Sequence, residues 1–249
     1  MSAVRVERKD SVLHVVLDRP PLNILTIAML GELCRALENV GDARVVVLLG
    51  EGKGFSAGVD VREHLPETIE EMLAEFRSAL AAVLGSPVPV VAQVHGPCLG
   101  GGMELAMAAD LVYAADTATF GQPEIKLGVY PPFAAAAYPR WFGRARAAEL
   151  VLLGEAITAN EAFTRGFLTA VVPADQLAAK VSDACTKLAA LSPSSIRRAR
   201  EALRIGEAGG LDALDAIEGK YRDDLMNTED AREGLRSFLE KRPPRWKGH

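Results

Sequence analysis

Cys98-Leu99-Gly100-Gly101-Gly102-Met103-Glu104-Leu105 follows closely on the apolar, valine-rich run Val88–Val94. That composition predicts a buried strand, and the three glycines turn the chain from it into a helix over Met103–Ala109. Glycine lets a ligand approach the backbone, and first-turn N–H groups have no partner inside the helix. The helix dipole adds positive character at the same point, so the turn can hold an oxyanion. Glu104 sits in that first turn among Met103, Leu105, Ala106 and Met107, a helix with almost no polar face. Its carboxylate is expected to be buried, and a buried carboxylate needs a partner or a task. The competing structural reading is a tight strand-to-helix turn followed by a solvated glutamate.

Outward from this stretch, strand, loop and helix recur. Val4–Arg8, Leu13–Leu17, Val45–Leu49 and Leu111–Ala114 have strand character. Thr26–Asn39, with Met29, Leu30, Leu33 and Leu37 on one face, and Ile69–Leu84 have helical spacing. The pattern predicts an α/β fold. From Ala174 onward the predicted elements are helices: Leu177–Leu191, Ser195–Gly206, Leu211–Met226 and Thr228–Lys241. Ser192-Pro193, Gly209-Gly210 and Asn227 punctuate them, and no strand is expected after Val171-Val172.

The 249 residues suit one large domain, or one with a smaller appendage. A net charge of -5 argues against broad nucleic-acid affinity, so an anion site must be local. Cys34, Cys98 and Cys185 are odd in number and lack metal-ligand spacing, which fits reduced thiols in a cytoplasm. No signal-peptide pattern or membrane-spanning run is expected.

Two further constellations carry chemistry. Gly54-Phe55-Ser56-Ala57-Gly58-Val59-Asp60 matches the G-x-S-x-G turn of a serine-hydrolase nucleophile. His64 and His95 come too early for the triad order of that fold, and His249 is terminal. The other reading is that the Ala57 N–H is a second oxyanion donor. Glu124 follows in Phe120-Gly121-Gln122-Pro123-Glu124-Ile125, and the apolar run from Leu127 to Ala137 suggests a pocket wall. Taken alone, a glutamate after proline is an ordinary solvated loop residue.

Phe55-Ser56-Ala57-Gly58-x-Asp60, Gly100-Gly101-Gly102-x-Glu104-Leu105 and Phe120-x-x-Pro123-Glu124-x-x-x-Gly128, in this order and spacing, resemble the crotonase (enoyl-CoA hydratase/isomerase) superfamily. The resemblance extends to the ending Phe238-Leu239-Glu240-Lys241-Arg242-Pro243. It implies a spiral of ββα turns over 1–190 and a helical C-terminal region over 191–249 that serves trimerisation. Homotrimers or homohexamers built as dimers of trimers are the implied assemblies. It also implies that Ala57 and Gly101 hold the thioester oxygen as it becomes enolate-like, and that Glu104 and Glu124 share one water. One carboxylate would activate that water while the other delivers a proton to carbon. Ser56, Gly58, Asp60, Gly100, Pro132 and Phe133 fall in the implied substrate- and CoA-binding segments, with Asp60 ordering its loop. Lys241 would meet the CoA 3′-phosphate across a subunit boundary; an ordinary surface lysine is the alternative. No metal or redox cofactor is implied, because CoA is part of the substrate.

One departure is specific. Pro132 stands where common hydratases of the family carry a glycine whose N–H can hold the second glutamate. Proline has no N–H, so Glu124 is expected to lose a donor. Phe133 and the alanines after it are expected to reshape the acyl pocket. With Arg19-Pro20-Pro21-Leu22-Asn23, the Pro-Pro variant resembles hydratases of cyclic dienoyl-CoA thioesters. The expected activity is hydration of an α,β-unsaturated acyl-CoA, with cyclohexa-1,5-diene-1-carbonyl-CoA the candidate substrate. A Δ3,Δ2-enoyl-CoA isomerase using Glu124 alone and a non-catalytic acyl-CoA-binding protein remain the alternatives.

Overall fold

The computed structural model describes residues 2–249. Val4–Lys9 (β1) and Val12–Leu17 (β2) pair antiparallel. Ile27–Glu38 (α1) follows, its N-terminus capped by Thr26 Oγ1, which accepts the Met29 N–H; its apolar face is buried. Val45–Gly50 (β3), Ile69–Gly85 (α2), Val90–Val94 (β4), Pro97–Leu99 (β5) and Gly101–Met107 (α3) come next. Leu111–Ala115 (β6) and Thr119–Gly121 (β7) lead into a 3₁₀ turn, Pro123–Leu127, and then Pro132–Phe142 (α4). Arg144–Leu153 (α5), Ile157–Thr158 (β8), Ala159–Thr164 (α6), Ala170–Val172 (β9) and Leu177–Ala189 (α7) complete the α/β part.

Six strands form one sheet in the order β1-β2-β3-β4-β6-β9, parallel from β2 onward. Both faces are covered, which is why β3 and β4 are continuous apolar runs rather than alternating ones. Val46 and Leu48 belong to the main core with α1, α2 and α3, whereas Val45 and Val47 meet Leu177, Val181 and Cys185 of α7 on the other face.

A second, smaller sheet runs β5-β7-β8 and is extended by bridges from Ser56 to Cys98 and from Leu25 to Val59. Each turn of the chain therefore places one strand in the large sheet, a short extended piece in the small one, and then a helix. This is the ββα spiral. Ser56, Cys98, Phe120 and Ile157 come from successive turns, pair in a row and are all buried.

The C-terminal region is helical: Pro193–Gly209 (α8), Leu214–Lys220 (α9) and Glu229–Leu239 (α10). The single helix expected over Leu211–Met226 is instead a 3₁₀ turn, α9 and a π turn, Tyr221–Leu225. Arg200 of α8 is buried; it donates to Asp110 Oδ1 at 2.8 Å and to the Ser86 carbonyl, tying the helix to the α/β part. No described helix is long and apolar enough to cross a membrane.

Candidate active site

The glycine run forms the site through its backbone. Gly100 adopts φ 53° and is the N-cap of α3, so the helix begins at Gly101, two residues earlier than the sequence suggests. The Gly100 N–H donates to the Gly121 carbonyl at 2.9 Å, whereas no described acceptor takes the Gly101 N–H. A Cβ on Gly100 would stand 2.5 Å from Glu124 Oε1, so only glycine lets the turn and that carboxylate coexist.

The loop after β3 lies against this turn. Asn23, fully buried, donates through Nδ2 to the carbonyls of Glu51, Gly54 and Phe55 at 2.7–3.1 Å, and accepts the Arg19 N–H. Ser56 is equally buried; its hydroxyl donates to the Asn23 carbonyl at 2.8 Å and accepts the Gly58 N–H. His95 faces the Gly52 carbonyl and His64 the Asp60 carbonyl, so neither serves as a base for Ser56. The nucleophile-turn reading is thereby excluded, and Ser56 is a brace. Asn23 is a supporting residue that the sequence argument missed; a buried asparagine after Pro-Pro-Leu was its only signal.

The geometry corrects Ala57. Its N–H donates to the Leu22 carbonyl at 2.9 Å and is not free for a ligand. Two residues on, the Leu25 N–H meets the Gly58 carbonyl and the Asp60 N–H meets the Leu25 carbonyl, which leaves the Val59 N–H without a described partner. Val59 is adjacent to Gly101: a Cβ built on that glycine would lie 2.8 Å from Val59 Cγ2. The unengaged pair of N–H groups is therefore Val59 and Gly101. Asp60 accepts the Arg62 N–H at 3.1 Å and caps the 3₁₀ turn Val61–His64, which orders its loop.

Glu104 and Glu124 both border a cavity of about 360 Å³ together with Ala57, Gly58, Gly100, Gly101 and Pro132. Its other walls are mostly apolar, from Val59, Met72, Leu73, Phe76 and Tyr130 among others, with His64 also bordering it. Glu104 is 3% exposed, and burial with the nearby Glu124 charge pushes its carboxyl up to about 8. Burial likewise raises Glu124 to about 7. Two such carboxyls in one apolar cleft favour sharing a single proton near neutral pH.

Pro132 offers Glu124 no N–H, and the donors that follow it in the chain go to the other carboxylate. Pro132 is the first residue of α4, and the free first-turn N–H of Ala134 donates to Glu104 Oε1 at 2.7 Å. The Phe133 N–H also stabilises the Glu104 anion. The donors of this helix end thus serve Glu104, not Glu124. The Phe133 ring lies edge-on against Trp141 at 5.5 Å and does not line the cavity, so its contribution to the site is its backbone. Lys241, at φ 54° just beyond α10, does not line the cavity either. A larger recess of about 700 Å³ between α10 and the C-terminal tail is lined by paired charges such as Glu233 with Arg242, far in character from the carboxylate cleft. No described cluster of three His, Cys, Asp or Glu side chains could hold a metal.

The family model for enoyl-CoA hydratase/isomerase matches residues 7–249. The chain belongs to that family. It is an enzyme of the enoyl-CoA hydratase type, a hydro-lyase. The cyclohexa-1,5-dienecarbonyl-CoA hydratase of Thauera aromatica is 39% identical over 247 residues, covering 98% of this chain and 95% of that protein. The 2,3-dehydroadipyl-CoA hydratase of Escherichia coli is 36% identical and covers 100% of both chains. The crystal structure of an enoyl-CoA hydratase from Bacillus anthracis superposes with a TM-score of 0.92 at 33% identity, covering 99% of this chain and 100% of that one. The family member's crotonase fold is thus the fold described above.

Proposed function

We propose that this hydratase acts on a cyclic α,β-unsaturated acyl-CoA of the cyclohexa-1,5-diene-1-carbonyl-CoA type. The observation that carries the chemistry is a pair of carboxylates, the buried Glu104 and the half-buried Glu124, facing one cavity beside two unengaged backbone N–H groups. Val59 and Gly101 hold the thioester oxygen, and their fixed N–H groups favour the enolate over the ground-state carbonyl. Glu124, which ionises first of the two, accepts a proton from water as the water oxygen bonds to the substrate β-carbon. The displaced π electrons move to the thioester oxygen. Glu104, held in one position by the Ala134 N–H, then gives its proton to the α-carbon, the thioester carbonyl reforms, and one water has been added. CoA enters and leaves as part of the substrate, and no other cofactor takes part.

The ring is supported by the 39% identical relative of that name and by the rigid Pro131-Pro132 wall of the cavity. The test is hydration of crotonyl-CoA and cyclohexa-1,5-diene-1-carbonyl-CoA, followed side by side by ultraviolet absorbance and mass spectrometry. Preferential hydration of the cyclic diene supports the proposal. Faster hydration of crotonyl-CoA reassigns the protein to straight-chain substrates.

Residues 1–190 form the acyl-CoA-binding core in this reading, and 191–249 build a trimer, or a hexamer of two trimers, in the cytoplasm. Exposed Leu203, Leu211, Phe238 and Leu239 in that region support the assembly, which brings Lys241 to the 3′-phosphate of CoA on a neighbouring subunit.

A further inference from the structure

Gln122 lies between β7 and the turn Pro123–Leu127, and Tyr138 lies on α4; both are fully buried. Their side chains meet at 3.0 Å. With the amide oxygen accepting the Tyr138 hydroxyl proton, the amide nitrogen stands 3.2 Å from each carboxylate oxygen of Glu124. The reverse orientation would aim the amide oxygen at an ionised carboxylate, acceptor against acceptor. The acceptor-only carboxylate sets this orientation, and the phenol, able to donate or accept, locks it by donating to the amide oxygen.

We propose that Tyr138 is a positioning residue of the site: its hydroxyl donates to the Gln122 amide oxygen and so holds the amide N–H groups on Glu124, favouring the ionised carboxylate. This rests on the reading that Glu124 is one of the two working carboxylates. The other groups around it do not supply that bond. Glu104 on α3 is itself raised by the Glu124 charge and donates nothing to it, and His64 borders the cavity with Nδ1 turned to the Asp60 carbonyl. α2 presents Met72, Leu73 and Phe76, with no titratable group facing the cavity. On α5, Glu149 pairs with Arg165, and Arg146 donates to the Arg165 carbonyl. Lys126 shares the Glu124 turn and makes no described ion pair with it, while the Cys98 thiol is pushed up by burial and stays neutral. Apart from the Glu124 backbone N–H, the Gln122 amide is the donor this carboxylate has.

The test reads Glu124 directly, by 13C-carboxyl NMR of the glutamate-labelled, ligand-free protein, with the resonance assigned by its absence in Glu124→Gln. In Tyr138→Phe the ring that packs on Trp141, Phe142 and Phe167 is kept. The Glu124 titration is expected to move upward by about one unit. Gln122→Leu moves it at least as far, and the double variant no further than Gln122→Leu alone. The acid limb of the hydration profile follows, with KM unchanged. If Tyr138→Phe proves too unstable to titrate, 3-fluorotyrosine at position 138, a stronger donor of the same shape, is expected to move Glu124 downward. An unmoved titration, or a Tyr138→Phe shift that persists when Gln122 is leucine, overturns the proposal. Lost turnover without a shift also overturns it, because packing alone then explains the loss. The titration needs no substrate, so it stands apart from any failure of the hydratase assignment.

Discussion

At the residue scale, the proposed chemistry depends on one proton held between two carboxyls. Below about 7 both are protonated and no base remains; above about 8 both are ionised and no acid remains. Hydration is therefore expected to follow a bell between these limits, measured as kcat/KM against pH. Glu104→Gln removes the proton donor to carbon and is expected to cost about 10²–10⁴-fold in hydration, while an isomerase activity resting on Glu124 would survive it. The same burial has a thermodynamic sign. A carboxyl raised from 4.5 in the unfolded chain to about 8 in the fold supports stability most below 4.5 and loses that support as pH rises towards 8. The slope contributed by Glu104 approaches about 1.4 kcal/mol per pH unit at its steepest. Chemical denaturation of wild type between pH 5 and 8 should show stability falling, and Glu104→Gln should flatten that fall. A steeper fall in the variant would mean that Glu104 is not the buried, protonated partner.

Elements bring these residues together, and this is where the sequence was legible in part. The apolar run of β4 leading into the glycine turn can be read directly, because a strand buried on both faces leaves a continuous hydrophobic signature. The strands β5, β7 and β8 are two or three residues long and leave no periodicity to find. Ala57 and Val59 are indistinguishable by spacing; only pairing with Leu22 and Leu25, over thirty residues upstream, decides which N–H is free. The same holds for Phe133, whose side-chain direction follows from the phase of α4, which Pro132 starts. Asn23 shows what the element-level brace is worth. Asn23→Ala would orphan two buried carbonyls and a partly buried third around the β3 loop, and about 2–3 kcal/mol of stability should be lost in urea titration. Ser56→Ala should lower stability less and leave the protein, like wild type, unlabelled by a serine-directed phosphonate. Gly100→Ala is predicted to fold yet hydrate poorly, since its Cβ would displace Glu124; full activity in that variant would show that Glu124 need not sit beside the turn.

For the whole molecule, the question is what covers the C-terminal helices. Phe238 and Leu239 at the end of α10 are 82% and 79% exposed, close to Lys241. Contiguous exposed apolar side chains of this size are the mark of a protein interface. A trimeric assembly would bury them and carry Lys241 from its position outside the subunit's own cavity to a neighbour's CoA. The expected mass in sedimentation equilibrium is therefore three or six times the 26.6 kDa chain. Replacing Phe238 and Leu239 together by glutamate should yield monomers whose circular dichroism is unchanged. Lys241→Ala, which leaves the interface intact, should keep the assembly and raise KM for the acyl-CoA by about tenfold, the loss of one charge-assisted contact. The two variants separate assembly from recognition. A monomeric wild type with full activity would assign the apolar ending to another partner, and an unchanged KM in Lys241→Ala would leave this lysine an ordinary surface residue.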